Sequence, residues 1–283
     1  LYDKVQQQGE EGSPDRLFVG SLDKALRVLE AFDGDRRDLG ITEIAVATGM
    51  TKSAAQRFVH SLTRLGLLQR DPETRRYSPG RRLLDLGFLY LRHDSLAELA
   101  APFLIDASER CGERVNLSEF DGHDIVYVFR VPTRMMAYVN SVVGRRLPAF
   151  CTSGGRIALA ALPEEEARRI VETSDRQPLT PETITDVEAV MERIAEARRL
   201  GYAFSAGEIL VGELAIAAAV FDNRGRPAGA VHISVSAAQW SEETVRRQLG
   251  PLVLETARAI SRPRSARPWG SPPKPRFPPY SGA

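Results

Sequence analysis

The period of the apolar positions changes several times along the chain, and the changes mark out its organisation. In SLDKALRVLEAF, Leu22, Ala25, Leu26, Leu29 and Phe32 recur every three to four residues, the stripe of an amphipathic helix. Ser21 stands where a side-chain cap would start it. The polar run DGDRRD ends the pattern. ITEIAVATG then puts Ile41, Ile44 and Ala45 on one face and stops at Gly49. A third helical stretch, TKSAAQRFVHSLTRLG, carries Ala55, Phe58, Val59, Leu62 and Leu65, with Thr51 placed to cap it and Gly66 to close it. LLQRDPETRRYSPG reads as a hairpin, with strands at 67–70 and 75–78 around a turn at 71–74. Helical spacing returns in RRLLDLGFLYLRHD. There Leu83, Leu84, Leu86, Phe88, Leu89 and Leu91 occupy more than one side, a surplus that predicts a partner chain.

From about residue 95 the pattern is mixed. SLAELAAPFLIDASERCG predicts a helix, and RVNLSEF, DIVYVFRV and MAYVNSV predict strands. VGRRLPAFCTSGGRIALAAL reads as a loop and then a helix. PEEEARRIV is a helix opened by Pro163 and three glutamates, which suit a helix N-terminus. Residues 174–183 read as loop, and DVEAVMERIAEARRLG as a helix stopped by Gly201. LAIAAAVFDNRGRPAGAVHISVS forms two β stretches about an NRGR turn, and SEETVRRQLGPLVLETARAIS closes the domain as a helix. The fold class is α+β, an antiparallel-leaning sheet with helices before and after it, behind a helical N-terminal domain.

The resulting divisions are a flexible arm at 1–19, a winged helix-turn-helix at 20–79, a linker helix at 80–94, an α/β domain at 95–260 and a tail at 261–283. The tail holds seven prolines and little to bury, so extended or disordered chain is expected there.

Charge sharpens this picture. The net charge is +1, but residues 51–92 hold nine Lys/Arg against three Asp/Glu, whereas residues 95–260 hold 18 basic and 23 acidic residues. A basic segment ahead of an acidic body predicts a polyanion partner for one domain only. The two cysteines, Cys111 and Cys151, make no disulfide framework and fit a reducing cytoplasm. No apolar run is long enough for a membrane helix, and the N-terminal segment lacks a signal-peptide core.

Two short helices followed by a hairpin are the winged form of helix-turn-helix. With Thr51 as cap, Lys52, Ser53, Gln56 and Arg57 begin the second helix, and Ser53, Gln56 and Arg57 share a face. Gln suits the adenine edge and Arg the guanine edge in a major groove. Arg75 and Arg76 on the wing suit phosphate or minor-groove contact. Enzyme chemistry is not expected. Cys151 and Ser153 could serve as nucleophiles, but His60, His93 and His123 lie in other elements, and no acidic residue is placed to orient His232. No close His/Cys pair for zinc, phosphate loop or dinucleotide fingerprint is present, so no metal or cofactor is expected. A scaffold that binds no DNA is the alternative reading.

SLDKALRVLEAF, ITEIAVATGMTKSAAQRFVHSLTRLGLL, RRYSPGRRLLDLG, GRRLPAFCTSGGRIALAALP and GYAFSAGEILVGELAIAAAVFDNRGRPAGAVHISVS occur in an order that resembles the IclR family of transcriptional regulators, over residues 20 to about 260. The resemblance implies a GAF-like effector-binding domain, dimers that often pair into tetramers, and palindromic operator DNA near genes for catabolism of small organic acids. Repressors and activators are both known in the family. The implied effector pocket draws on Val139, Leu147, Ser153 and Gly154, on Ser205, Glu213 and Ala215, and on His232 and Ser234. A small organic carboxylate is the expected ligand, met by backbone N–H groups where Ser153-Gly154 open a helix. Ser205 stands where some relatives have an acidic residue, and His232 where a serine can occur.

Overall fold

The structure, a computed structural model, describes residues 17–32, 36–131 and 143–261. The arm up to residue 16, the tail from 262 and the stretch MAYVNSV lie outside them. The chain divides into two compact units between Leu89 and Tyr90. Among the described residues no helix is long and apolar enough to cross a membrane.

The first unit opens with α1 (Gly20–Glu30), α2 (Ile41–Thr48) and α3 (Lys52–Arg64). Ser21 does not cap α1. The helix has already begun at Gly20, and Val19 at the cap position makes no side-chain bond. Helix α2 starts with the Glu43 carboxylate accepting the Gly40 N–H (2.7 Å) and ends at Gly49, whose φ of +65° is the left-handed conformation that favours glycine. Thr51 caps α3 by accepting the Ala54 N–H (3.3 Å). Val28, Ile44, Ala45, Ala55, Val59, Leu62 and Leu68 make the core, with Phe58 against it. The α1 stripe does not all enter this core: Val28 is buried, while Leu22 and Leu26 stay 65% and 51% exposed.

The wing is shorter than the sequence predicts. Its strands are β1 (Leu68–Arg70) and β2 (Tyr77–Pro79), paired antiparallel. Asp71 Oδ1 accepts the Glu73 and Thr74 N–H groups, and Arg75 then takes a left-handed φ of 59°. Arg75 and Arg76 therefore belong to the turn rather than to a strand. Leu39 bridges Tyr77 as a third short pairing. Helix α4 (Arg82–His93) follows and contains the division between the units. None of its residues is buried, and Leu84, Leu86, Phe88, Leu89 and Tyr90 are all at least half exposed.

The second unit holds α5 (Ser95–Cys111), β3 (Arg114–Asp121), β4 (Asp124–Val131), β5 (Arg146–Pro148), α6 (Ser153–Ala160), α7 (Glu164–Thr173), α8 (Val187–Leu200), β6 (Ala203–Ala206), β7 (Glu213–Phe221), β8 (Pro227–Ser236), α9 (Glu242–Thr244) and α10 (Gly250–Ser261). Between α9 and α10 a single π-helical stretch, Val245–Leu249, widens the last helix. The strands form one antiparallel sheet in the order β5-β4-β3-β8-β7-β6. Two elements went unread in the sequence. β5 lies in the stretch taken for loop, and β6 lies in GYAFSAGE; both are short edge strands with too few residues to show alternation.

Each face of the sheet has its own core. Val115, Leu117, Ile216, Val231 and Ile233 meet α5 and α10 on one side. Phe150, Ile157, Leu159, Val190 and Ile194 fill the other side, where α6, α7 and α8 pack on Ala203, Ala217 and Ala230. On that second face β3 presents Arg114, Asn116 and Ser118 instead of apolar residues, and β8 presents His232 and Ser234. These polar residues form the floor beneath the N-terminus of α6.

Candidate DNA-reading surface and small-molecule site

The rear of α3 is buried through Ala55, Val59 and Leu62, which fixes its other side outward. Thr51, Lys52, Ser53, Gln56 and Arg57 are all exposed there. The small side chains of Ala45 and Ala55 sit in the contact between α2 and α3, as expected of two closely crossing helices. The wing arginines divide. Arg75 is exposed on the turn. Arg76 turns back: its guanidinium bonds the Asp38 carboxylate and carbonyl and pairs with Glu43 at 2.8 Å. It anchors the wing to the start of α2.

In the second unit, a small cavity of about 20 Å³ lies between the first turn of α6, the segment joining β6 to β7, and the sheet. Ser153, Ser205, Glu213, Ala215 and Ser234 line it together. Thr152 caps α6 by accepting the Gly155 N–H (3.0 Å), so the N–H groups of Ser153 and Gly154 open the helix at the cavity side. Gly154 and His232 are one layer deeper. A Cβ on Gly154 would come within 1.9 Å of the His232 ring, so imidazole and backbone are in direct contact. His232 is fully buried and bonds Ser118 through Nε2 (2.6 Å). Burial pushes its pKa down to about 3, so it is a neutral ring, not a cation. Leu147 is buried on edge strand β5 and does not line the cavity, and Val139 lies outside the described residues.

Sequence reasoning missed several participants. Tyr127, Thr152, Gly207, Glu208, Ile209 and Leu210 also line the cavity. Tyr127 packs on His232 with ring centroids 5.3 Å apart, and desolvation raises its phenol to about 12. Glu213 is held by Arg114 at 2.7 Å. Arg130 lies on the same face, its pKa lowered by burial and then by the like charge of Arg114. From the cavity wall Glu208 forms a buried bidentate pair with Arg156, 2.5 and 2.7 Å, while Arg156 Nε donates to the Phe150 carbonyl. The legible signal was RVNLSEF itself. There Arg114, Asn116 and Ser118 alternate with Val115 and Leu117, which puts these three on one face.

Cys151 is buried and its thiol is pushed up to about 12, chiefly by desolvation. Among the described residues no group of three or more His, Cys, Asp or Glu is placed to hold a metal.

A helix-turn-helix with an outward polar helix, carried on the same chain as an α/β unit with a small polar cavity, defines a ligand-responsive DNA-binding protein. The chain matches the IclR helix-turn-helix domain over residues 21–72 and the C-terminal domain of bacterial IclR transcriptional regulators over residues 88–262. It belongs to the IclR family, and it is a transcriptional regulator rather than an enzyme. It is 32% identical over 250 residues to the Pca regulon regulatory protein of Pseudomonas putida, covering 88% of this chain and 84% of that one. The crystal structure of a transcriptional regulator from Rhodococcus sp. RHA1 superposes with a TM-score of 0.72 at 35% identity, covering 86% of this chain and 97% of that one. An IclR homologue from Microbacterium hydrocarbonoxydans, solved with 4-hydroxybenzoate, gives a TM-score of 0.68 at 26% identity, with 85% and 97% covered.

Proposed function

We propose that this regulator binds palindromic double-stranded operator DNA through α3 and changes its hold on DNA when a small organic carboxylate enters the cavity beside α6, controlling a catabolic operon in the cytoplasm. The observation that carries the DNA half is the outward face of α3, where Lys52, Ser53, Gln56 and Arg57 are exposed behind a Thr51 cap. Gln56 and Arg57 read base edges, Lys52 and Ser53 contact bases or phosphates, and Arg75 reaches the backbone from the wing. Arg76 acts indirectly by fixing the wing. The six-stranded antiparallel sheet with helices on both faces supports a GAF-like effector domain.

The carboxylate half rests on the N–H groups that open α6 at the cavity. The 4-hydroxybenzoate-bound homologue and the Pca regulon relative support an organic acid as effector. The exposed apolar residues of α1 and α4 support a homodimer formed through residues 20–32 and 80–93, and two such dimers give a tetramer.

Fluorescence anisotropy with operator and random duplexes tests the DNA half. Gln56→Ala and Arg57→Ala should each lose roughly 1–3 kcal/mol on operator DNA and much less on random DNA. Equal losses on both duplexes would refute the assignment. Ser153→Pro tests the effector half. Proline is tolerated at a first helical position but removes its N–H, so carboxylate-induced thermal stabilisation should fall.

A further inference from the structure

One edge of the sheet is only partly covered by its own strands. β6 pairs with Leu214–Ala217 of β7 and stops, so β7 runs on from Ala218 to Phe221 with a strand on the β8 side only. The Glu213 carbonyl accepts the Gly207 N–H on the β6 side, and the Phe221 N–H donates to Ser261 Oγ (3.0 Å). The odd-numbered residues of β7 therefore turn their backbone groups away from β8. By that alternation the N–H and C=O of Ala219 point outward, past the end of β6.

A groove of about 540 Å³ lies along this edge, far roomier than the cavity at the start of α6. Ile157 and Ala161 at the far half of α6, Ala219 and Phe221 of β7, and Leu254 and Arg258 of α10 line it. Its apolar walls are not closed over by the described residues, and Phe221 stays 37% exposed. Ser261, which ends α10, is also part of its lining. The chain thus leaves α10 at the groove itself, and residues 262–283 follow.

We propose that this groove docks the chain's own C-terminal segment, with the Trp269 indole seated between α6, β7 and α10. RPRSARP, directly after Ser261, offers no large apolar side chain, and Trp269 is the first. The eight residues from Arg262 to Trp269 span about 25 Å at the ~3.1 Å rise of a proline-rich chain, enough to run back along the groove. Prolines cannot donate to a sheet edge, so the segment docks through a side chain rather than as an added strand. An indole matches what the groove presents. Its ring covers Ile157, Phe221 and Leu254, its N–H donates to the outward Ala219 carbonyl, and exposed Arg258 stacks on its face. Docking braces the far end of α6, the helix whose first turn opens on the small cavity.

The full-length protein tests this through Trp269 itself. Trp240→Phe leaves Trp269 as the single indole of the chain. Acrylamide should then quench it at least about three-fold less in the folded protein than after urea unfolding. Ala161→Phe fills the groove and should abolish that protection. Hydrogen exchange supplies a second measurement that needs neither variant. Trp269→Ser should speed exchange at 157–161 and 218–221 and leave β3 unchanged. Protection that holds on dilution places the segment on its own chain. Protection that fades on dilution would assign the groove to the segment of a second copy and overturn the proposal. So would an unprotected Trp269, protection that survives Ala161→Phe, or exchange at the groove that ignores Trp269→Ser.

Discussion

Removing Glu208 should destabilise the effector unit more than removing any surface charge, because of what it leaves behind. Arg156 is 1% exposed and Glu208 4%. The guanidinium makes two bonds to that carboxylate and a third to the Phe150 carbonyl, and Glu208 also accepts the Ile184 N–H at 3.1 Å. Glu208→Ala leaves the buried Arg156 cation without its counter-charge, a loss of about 3–5 kcal/mol. For a domain of this size each kcal/mol moves the midpoint by roughly 2–4 °C, so the melting temperature should drop by about 6–20 °C. The double variant Arg156→Met with Glu208→Leu removes both charges together and should recover most of that loss. Urea unfolding followed through Trp240, a residue of the same unit, reports it directly. A loss under about 1 kcal/mol for Glu208→Ala, or a double variant no better than the single, would show that the pair is solvated or replaceable and would refute this account.

Three further outcomes follow from the geometry. His232 is neutral in the folded chain down to about pH 3, while the unfolded chain takes up the proton near its ordinary 6.5. The unfolded state thus binds more protons between those values, so stability falls on acidification by at most about 1.4 kcal/mol per pH unit, and His232→Gln should flatten that slope in urea titrations. Gly154→Ala drives a methyl into the same ring and should cost about 1–3 kcal/mol. His232→Ala should relieve much of that cost, so a double-mutant cycle that proved additive would contradict the contact. Phe88→Glu, at a residue 62% exposed on α4, should shift sedimentation toward monomer, and an unchanged oligomer would remove α4 from the interface.

The helices and long strands were legible because each repeats its pattern several times. α3 shows its apolar rear four residues at a time, and β7 and β8 flank an obvious turn. The short pieces were not. β5 and β6 are three and four residues long, and their place is set by pairing with β4 and β7, which no local pattern records. The α1 stripe is legible as a stripe, but Leu22 and Leu26 stay exposed: periodicity shows that a face is apolar but not what covers it. Arg76 illustrates the same limit. Its neighbour Arg75 is equally basic in sequence, and only the approach of Asp38 and Glu43 separates their roles. Of the site, the residues on β7, β8 and α6 were legible through family resemblance. Alternation in β3 separates Arg114, Asn116 and Ser118 from Val115 and Leu117, but alternation alone does not say which face is covered.

The arrangement of the cavity bears on how a ligand could act. Its walls come from separate elements: α6, the segment after β6, and the sheet. Arg156 already ties α6 to that segment through Glu208, and Thr183 Oγ1 bonds the Glu208 carbonyl at 2.7 Å. These two walls are therefore fixed to each other before any ligand arrives. A ligand that touched only them would bind without shifting an equilibrium, since effect requires different affinity for two states. The contacts with differential value are those to the third wall, the sheet face of Tyr127, Glu213, Ala215 and Ser234, which the buried pair does not hold. On this reasoning a ligand's contacts with α6 supply affinity, and its contacts with the sheet decide whether a bound ligand is also an effective one.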